Sequence, residues 1–256
     1  MLSKNFKLNF IQKHYYHIYY ADKFFDDNTY ELLDRNFPKF NPEKLDKYNH
    51  GKYSLKVDSD YYNYCSKESQ ILMDFSKFLK SDFFYKKVFK LLYLKILLAN
   101  SYNLKRLAKY LRLPIFNKEK NWYDFLFSKI SVISEFAYMK NKSKIVPHVD
   151  SIMELCSILV YFPSLKNDHE NYLLERNYGT VFWESNLKNY SNTHLISNFE
   201  EENFKNESKV IFSPKYLPNY MCGFIRNDKS WHTVEPLDIA SNYIRRSINI
   251  NFMYEN

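Results

Sequence analysis

The sequence predicts an α+β fold with a mainly β core: residues 131–256 form the strand-rich part, and residues 1–130 form a mixed, largely helical N-terminal support. Three observations point there. Residues 244–252 alternate with period two, so Arg245, Ser247 and Asn249 share one face of a strand while Arg246, Ile248 and Ile250 share the other. Residues 155–163, Leu-Cys-Ser-Ile-Leu-Val-Tyr-Phe-Pro, are an apolar run of strand length closed by a turn signal. Upstream, Phe84, Val88, Leu91, Leu92, Lys95 and Leu98 recur at the spacing of an amphipathic or largely buried helix within residues 81–113.

The elements follow in order. Residues 1–64 should mix a strand-like segment at 15–20, a helix over 28–36, and loops through 38–60. Residues 65–130 should be mainly helical, with Pro114 ending one helix because its ring cannot continue the hydrogen-bond ladder. From 131 onward antiparallel strands are expected, among them Gly179-Thr180-Val181-Phe182-Trp183 after a tight turn at Asn177-Tyr178. Residues 190–208 are polar and acidic, with Glu200, Glu201 and Glu202 in a row. They read either as a mobile loop over a site entrance or as an ordinary surface insertion. Only 3 residues are Gly, so turns fall to Asn, Asp and Pro, as at Asn41-Pro42, Lys166-Asn167-Asp168 and Arg226-Asn227-Asp228.

Composition sets outer limits. A chain of 256 residues with 45% hydrophobic content can bury one substantial core, and a single domain over 1–256 is expected. The 19% aromatic content goes with abundant Lys and Asn and scarce Gly, the mark of an AT-rich coding sequence, and is not read as a binding surface. A net charge of +8 suggests nucleic acid or an acidic membrane. The lysines, however, are scattered, and the densest stretch, 77–120, interrupts a helical apolar pattern, so a solvated helix face accounts for them. Residues 91–99 are too short to cross a bilayer. Cys65, Cys156 and Cys222 are an odd number without zinc spacing, and the first residues lack the apolar run of a secretory signal, so a reducing cytoplasm is expected.

The chemistry is concentrated in the last 110 or so residues. His148 and Asp150 sit two apart, so on an extended strand they leave one face and can grip one ion together. His232 must then arrive from a distant strand. Two imidazoles and one carboxylate on one side of a metal leave the opposite positions open, the arrangement expected of non-haem Fe(II) that activates oxygen. A His-x-acid triplet alone is worth little, since a chain with 7 His and 29 acidic residues holds about one by chance.

The strings Pro-His-x-Asp-Ser at 147–151, Gly-Thr-x-Phe-Trp at 179–183, Ser-Trp-His-x-Val at 230–234 and Arg-Arg-Ser-Ile-Asn-Ile-Asn at 245–251, in this order, resemble the Fe(II)- and 2-oxoglutarate-dependent oxygenases, especially the prolyl-hydroxylase-like branch. The similarity covers residues 130–254, with a fainter echo at 24–38. It implies a double-stranded β-helix, the jelly roll, with helices packed outside. His148, Asp150 and His232 would be the metal ligands, with Fe(II), 2-oxoglutarate and O2 as cofactor and co-substrates and succinate and CO2 released. Arg245, paired with Ser247 as Arg-x-Ser, would hold the far carboxylate of 2-oxoglutarate, for which a planar guanidinium suits better than an ammonium. Arg246 is the rival, because a one-residue change of register exchanges the two. Tyr138 stands where some relatives place a tyrosine that hydrogen-bonds the co-substrate, although 24 Tyr in the chain make coincidence the competing explanation. Thr233 departs from the Gly often found in relatives, which would narrow the space beside the iron. Trp183 and Trp231 read as packing.

A free small molecule, sugar or lipid-linked metabolite is the first choice of substrate, because the resemblance places Arg at the co-substrate position. A protein or peptide side chain comes second. Nucleic acid comes third, since Asn251 stands where base-repairing relatives carry a second Arg. Halogenation is disfavoured, because Asp150 fills the position that a halide would need. Outside enzymes, the competitor is a jelly-roll binding or assembly protein with a structural metal.

Overall fold

The computed structural model describes residues 1–13, 16–48, 51–101, 130–164, 179–185, 195–237 and 242–254. Four strands open the chain: β1 (Asn9–Lys13), β2 (Tyr16–Ala21), β3 (Asp46–Lys47) and β4 (Lys52–Lys56). The first helix, α1 (Asp27–Arg35), lies between β2 and β3 and is capped by Asp26, whose carboxylate accepts the Thr29 N–H at 2.9 Å. The helices α2 (Asp60–Lys67), α3 (Gln70–Leu79), α4 (Asp82–Phe84) and α5 (Lys90–Ala99) follow, the last two joined by a π-helical turn at Tyr85–Phe89. Strands β5 (Ile130–Lys140), β6 (Ile145–His148), β7 (Glu154–Tyr161) and β8 (Thr180–Ser185) precede α6 (Glu201–Glu207). Strands β9 (Ser208–Phe212), β10 (Met221–Ile225), β11 (Trp231–Val234) and β12 (Ile244–Tyr254) complete the order.

Among the described residues the strands form two antiparallel sheets, one in the order β1-β2-β10-β7-β12-β5-β4-β3 and the other β6-β11-β8-β9. The helices α1 to α5 pack on one face of the larger sheet, and α6 packs against the smaller one. Phe84, Val88, Leu92 and Ile96, each four apart, are buried in one cluster with Phe136, Ile158, Ile248, Ile250 and Phe252. Leu91 and Leu98, included in the sequence pattern, instead face outward at 53% and 52% exposure. The π-helical turn inserts one extra residue between the two helical stretches, so the sheet-facing line runs on through Phe89 as well.

The alternation of β12 is thereby used on both sides. Ile248, Ile250 and Phe252 join the helix layer, while Arg245, Ser247, Asn249, Asn251 and Met253 line a cavity on the other face.

The N-terminal part differs from expectation. The strand expected at 15–20 is β2, which pairs with β10, but residues 38–60, read from the sequence as loops, hold β3 and β4, and β4 pairs with β5 over five residues. The short run Lys-Tyr-Ser-Leu-Lys has the required alternation: Tyr53 and Leu55 enter the helix-side core, and Lys52 and Lys56 turn to the cavity. Two lysines in five residues concealed it, because a strand edge that lines a polar cavity carries charge where a solvated sheet would also carry it. Pro114, the Lys166-Asn167-Asp168 turn, Asn177-Tyr178 and residues 190–194 lie outside the described residues. Of the 190–208 segment, residues 201–207 are the helix α6, with Glu201 buried between Lys144 and Lys205. All three cysteines are free, and among the described residues no helix is long and apolar enough to cross a membrane.

His17 of β2 carries a pH consequence. It is 1% exposed on the helix-facing side, its Nδ1 has no hydrogen-bond partner among the described residues, and burial together with the charge of Lys95 lowers its pKa to about 4. The folded protein therefore binds this proton less readily than the unfolded chain. The neutral ring's contribution is complete above the ordinary value of 6.5 and drains away as pH falls toward 4. Between pH 7 and pH 4 this site should cost up to about 3 kcal/mol. The urea midpoint of His17→Gln is expected to fall less over that interval than that of the parent, and parallel curves would contradict the assignment.

Candidate metal centre

His148 ends β6, and His232 is its antiparallel partner in β11, so the pairing of these strands brings together two residues 84 apart in sequence. Their ring centroids are 4.1 Å apart. Asp150 lies just beyond β6, and its Oδ1 is 3.5 Å from the Nε2 atom of each imidazole. The three donor atoms all fall within 4.8 Å of one another. These separations are of the order that a cation about 2 Å from each donor requires.

The hydrogen bonds decide which ring nitrogen is available. His148 Nδ1 lies 2.9 Å from the Val146 carbonyl and His232 Nδ1 3.1 Å from the Ser230 carbonyl. A carbonyl only accepts, so both Nδ1 atoms carry a proton, and both Nε2 atoms are turned toward the Asp150 carboxylate. Burial, with the neighbouring His148, lowers the His232 pKa to about 4, so this ring is neutral at physiological pH. Burial alone would raise the Asp150 carboxyl, but His232 and His148 outweigh it and hold it well below the usual carboxylate range. Two imidazole nitrogens and one carboxylate oxygen converging on one point are the donor set of a divalent first-row cation.

Glu154, which the sequence did not single out, stands beside this group. Ser157 Oγ lies 3.2 Å from Asp150 Oδ2 and 3.0 Å from Glu154 Oε2, and its single proton serves one of the two at a time. Burial and the adjacent Asp150 charge push the Glu154 carboxyl up to about 9, so it stays neutral and Asp150 remains the charged member of the pair.

The cavity has a volume of about 290 Å³ and lies between the two sheets. Arg245 lines it at 6% exposure, its guanidinium 4.8 Å from the Tyr216 ring and 5.5 Å from that of Tyr161. Arg246 faces away. Its Nη2 lies 2.7 Å from Asp34, its Nε donates to the Phe162 carbonyl, and Phe37 packs against it.

Ser247 lines the cavity and donates to Asn249 Oδ1 at 3.0 Å. Asn249 Nδ2 in turn donates to Glu135, which also accepts from Lys52. Burial would raise Glu135 and lower Lys52, yet their mutual attraction reverses both shifts, as expected of an ion pair. This wall of Lys52, Glu135 and Asn249 was missed because its members come from three strands whose register no local pattern reveals.

Two expectations are corrected. Tyr138 lies on the helix side of β5: its ring packs against Phe37 and Phe40 and its hydroxyl donates to the Pro38 carbonyl, so it belongs to the core and cannot reach the cavity. Its strand neighbours Ala137 and Met139 face the cavity instead. Thr233 likewise alternates away from His232, accepts the Trp183 Nε1–H at 3.0 Å and donates to Glu235, so it does not narrow the space between the ligands. Trp183 and Trp231 pack with Phe204 in a separate cluster.

No family model matches the sequence, and no curated protein matches it. Among solved structures, the chain is similar to a Pseudomonas putida prolyl-4-hydroxylase at 11% identity and a TM-score of 0.46, with 93% of each chain covered. A Trichoplax adhaerens prolyl hydroxylase, solved with a hypoxia inducible factor peptide fragment, is 10% identical with a TM-score of 0.43, covering 94% of this chain and 84% of that one. HygX from Streptomyces hygroscopicus, solved with nickel, 2-oxoglutarate and hygromycin B, is 9% identical with a TM-score of 0.42, covering 93% of this chain and 82% of that one.

Proposed function

We propose that this chain is an Fe(II)- and 2-oxoglutarate-dependent dioxygenase that hydroxylates a small molecule, sugar or lipid-linked metabolite, with its two sheets closing as a double-stranded β-helix. The observation that carries this reading is the convergence of His148, Asp150 and His232 at a cavity that Arg245 also lines. His148, Asp150 and His232 would hold the iron, which supplies oxygen activation when bound. Their Nδ1 hydrogen bonds fix the orientation of both rings so that the Nε2 atoms are turned toward the metal position. Arg245, held against Tyr216 and Tyr161, would pair with the far carboxylate of 2-oxoglutarate, with Ser247 beside it. The overall reaction converts 2-oxoglutarate, O2 and a C–H bond into succinate, CO2 and an alcohol.

A small substrate is supported by the modest cavity, whose outer wall presents Lys52, Glu135, Asn249 and Asn251 to hydroxyl or amine groups. The experiment is Fe(II)-dependent conversion of 2-oxoglutarate to succinate under air, with an oxygen-free control and a panel of sugars, lipid-linked metabolites and peptides. Conversion stimulated by a member of the metabolite panel is the expected outcome. Stimulation by peptides alone would move the reading to a side-chain hydroxylase, and failure to bind both iron and 2-oxoglutarate would leave a binding or assembly protein.

A further inference from the structure

The turn after β10 touches two of the three proposed ligands from behind. Arg226 is fully buried at 0% exposure, and its Nε donates to the backbone carbonyl of Asp150 at 3.0 Å. Four residues later the Ser230 carbonyl receives the Nδ1 proton of His232. The turn is closed on itself by Ser230 Oγ, which donates to the Asn227 carbonyl at 2.7 Å and accepts the Asn227 N–H at 3.1 Å. It is tied to the end of α5 as well: Asn227 Nδ2 donates to the Ala99 carbonyl, and Asn100 Nδ2 donates to the Arg226 carbonyl.

We propose that Arg226 is a positioning residue for the metal centre, holding the Asp150 backbone so that its carboxylate meets the two imidazoles. The inference rests on the metal reading above. Asp150 follows β6 and precedes β7, so no strand ladder fixes its carbonyl, and the Arg226 Nε–H supplies that bond. A guanidinium is a costly way to fill a buried volume, because apolar side chains of similar size do so at least as well. Asp228, 2.9 Å from Nη1, neutralises the charge without accounting for the direction of Nε. Outer contacts of this kind orient ligands, and losing them weakens metal binding by about 10- to 100-fold.

Two substitutions separate the donor from the charge. In Arg226→Gln the amide nitrogen falls where Nε was, so the bond to Asp150 is kept and the charge is lost. In Arg226→Lys the charge is kept and a carbon occupies the Nε position. Mn(II) is titrated into each full chain well below its melting temperature, with free ion read by electron paramagnetic resonance. The expected result is a Kd within about threefold of the parent for Arg226→Gln and raised about tenfold or more for Arg226→Lys. A purely structural ion pair gives the reverse order in melting temperature and no such split in affinity. Parent-like affinity in Arg226→Lys, or equal loss in both, overturns the proposal, and if only one variant folds its Kd still decides. A parent that binds no Mn(II) sinks the metal reading itself.

Discussion

Asp150→Ala is expected to weaken Fe(II) and Mn(II) binding by more than about a hundredfold while the protein stays folded, since losing an outer contact alone costs 10- to 100-fold in such centres. The carboxylate is the one anionic donor of the three, and without it two imidazoles face a cation with nothing to offset its charge. Folding should tolerate the change. Asp150 lies outside the strands, and its removal relieves the charge that pushes Glu154 up. Calorimetric metal titration beside a melting curve checks both halves. Undiminished affinity would mean that the ion, if any, binds elsewhere.

Arg245→Ala should act at the other end of the cavity, raising the Kd for 2-oxoglutarate while sparing Mn(II) affinity. Removing one partner of a desolvated, hydrogen-bonded charge pair costs about 2–4 kcal/mol, or about 30- to 700-fold. The guanidinium is held between aromatic rings at 6% exposure, which fixes its place at this end of the cavity. Arg246→Ala supplies the contrast. It breaks the contacts to Asp34 and the Phe162 carbonyl on the helix side, and it should lower the melting temperature while leaving co-substrate affinity unchanged. If Arg246→Ala gave the co-substrate phenotype instead, the assignment of faces on β12 would be wrong.

What the sequence could reveal followed the range over which its patterns act. The faces of β12 were legible because alternation is local: once Ile248 and Ile250 go to the core, Arg245, Ser247 and Asn249 must go to the opposite side. The meeting of His148 with His232 was legible only by resemblance, since it depends on β6 pairing with β11 in one register. Glu154 and the Lys52–Glu135 pair escaped notice for the same reason. Nothing near Lys52 in the chain indicates that Glu135 lies within reach, 83 residues away. Tyr138 shows the opposite failure. A position matched by its distance from His148 ignored the parity of β5, which sends that ring into the helix layer.

The division of β12 between helix layer and cavity has a consequence for how this protein can change. Each outward position is tied to a tightly packed interior, and a shift of the strand by a single residue would bury its arginine and asparagines while emptying its isoleucines into the chamber. Drift in what the chamber accepts is therefore easier through β4, whose Lys56 reaches only a half-exposed carboxylate at the rim, than through the central strand. New preferences would be acquired at the margin of the larger sheet, with its middle left as it stands.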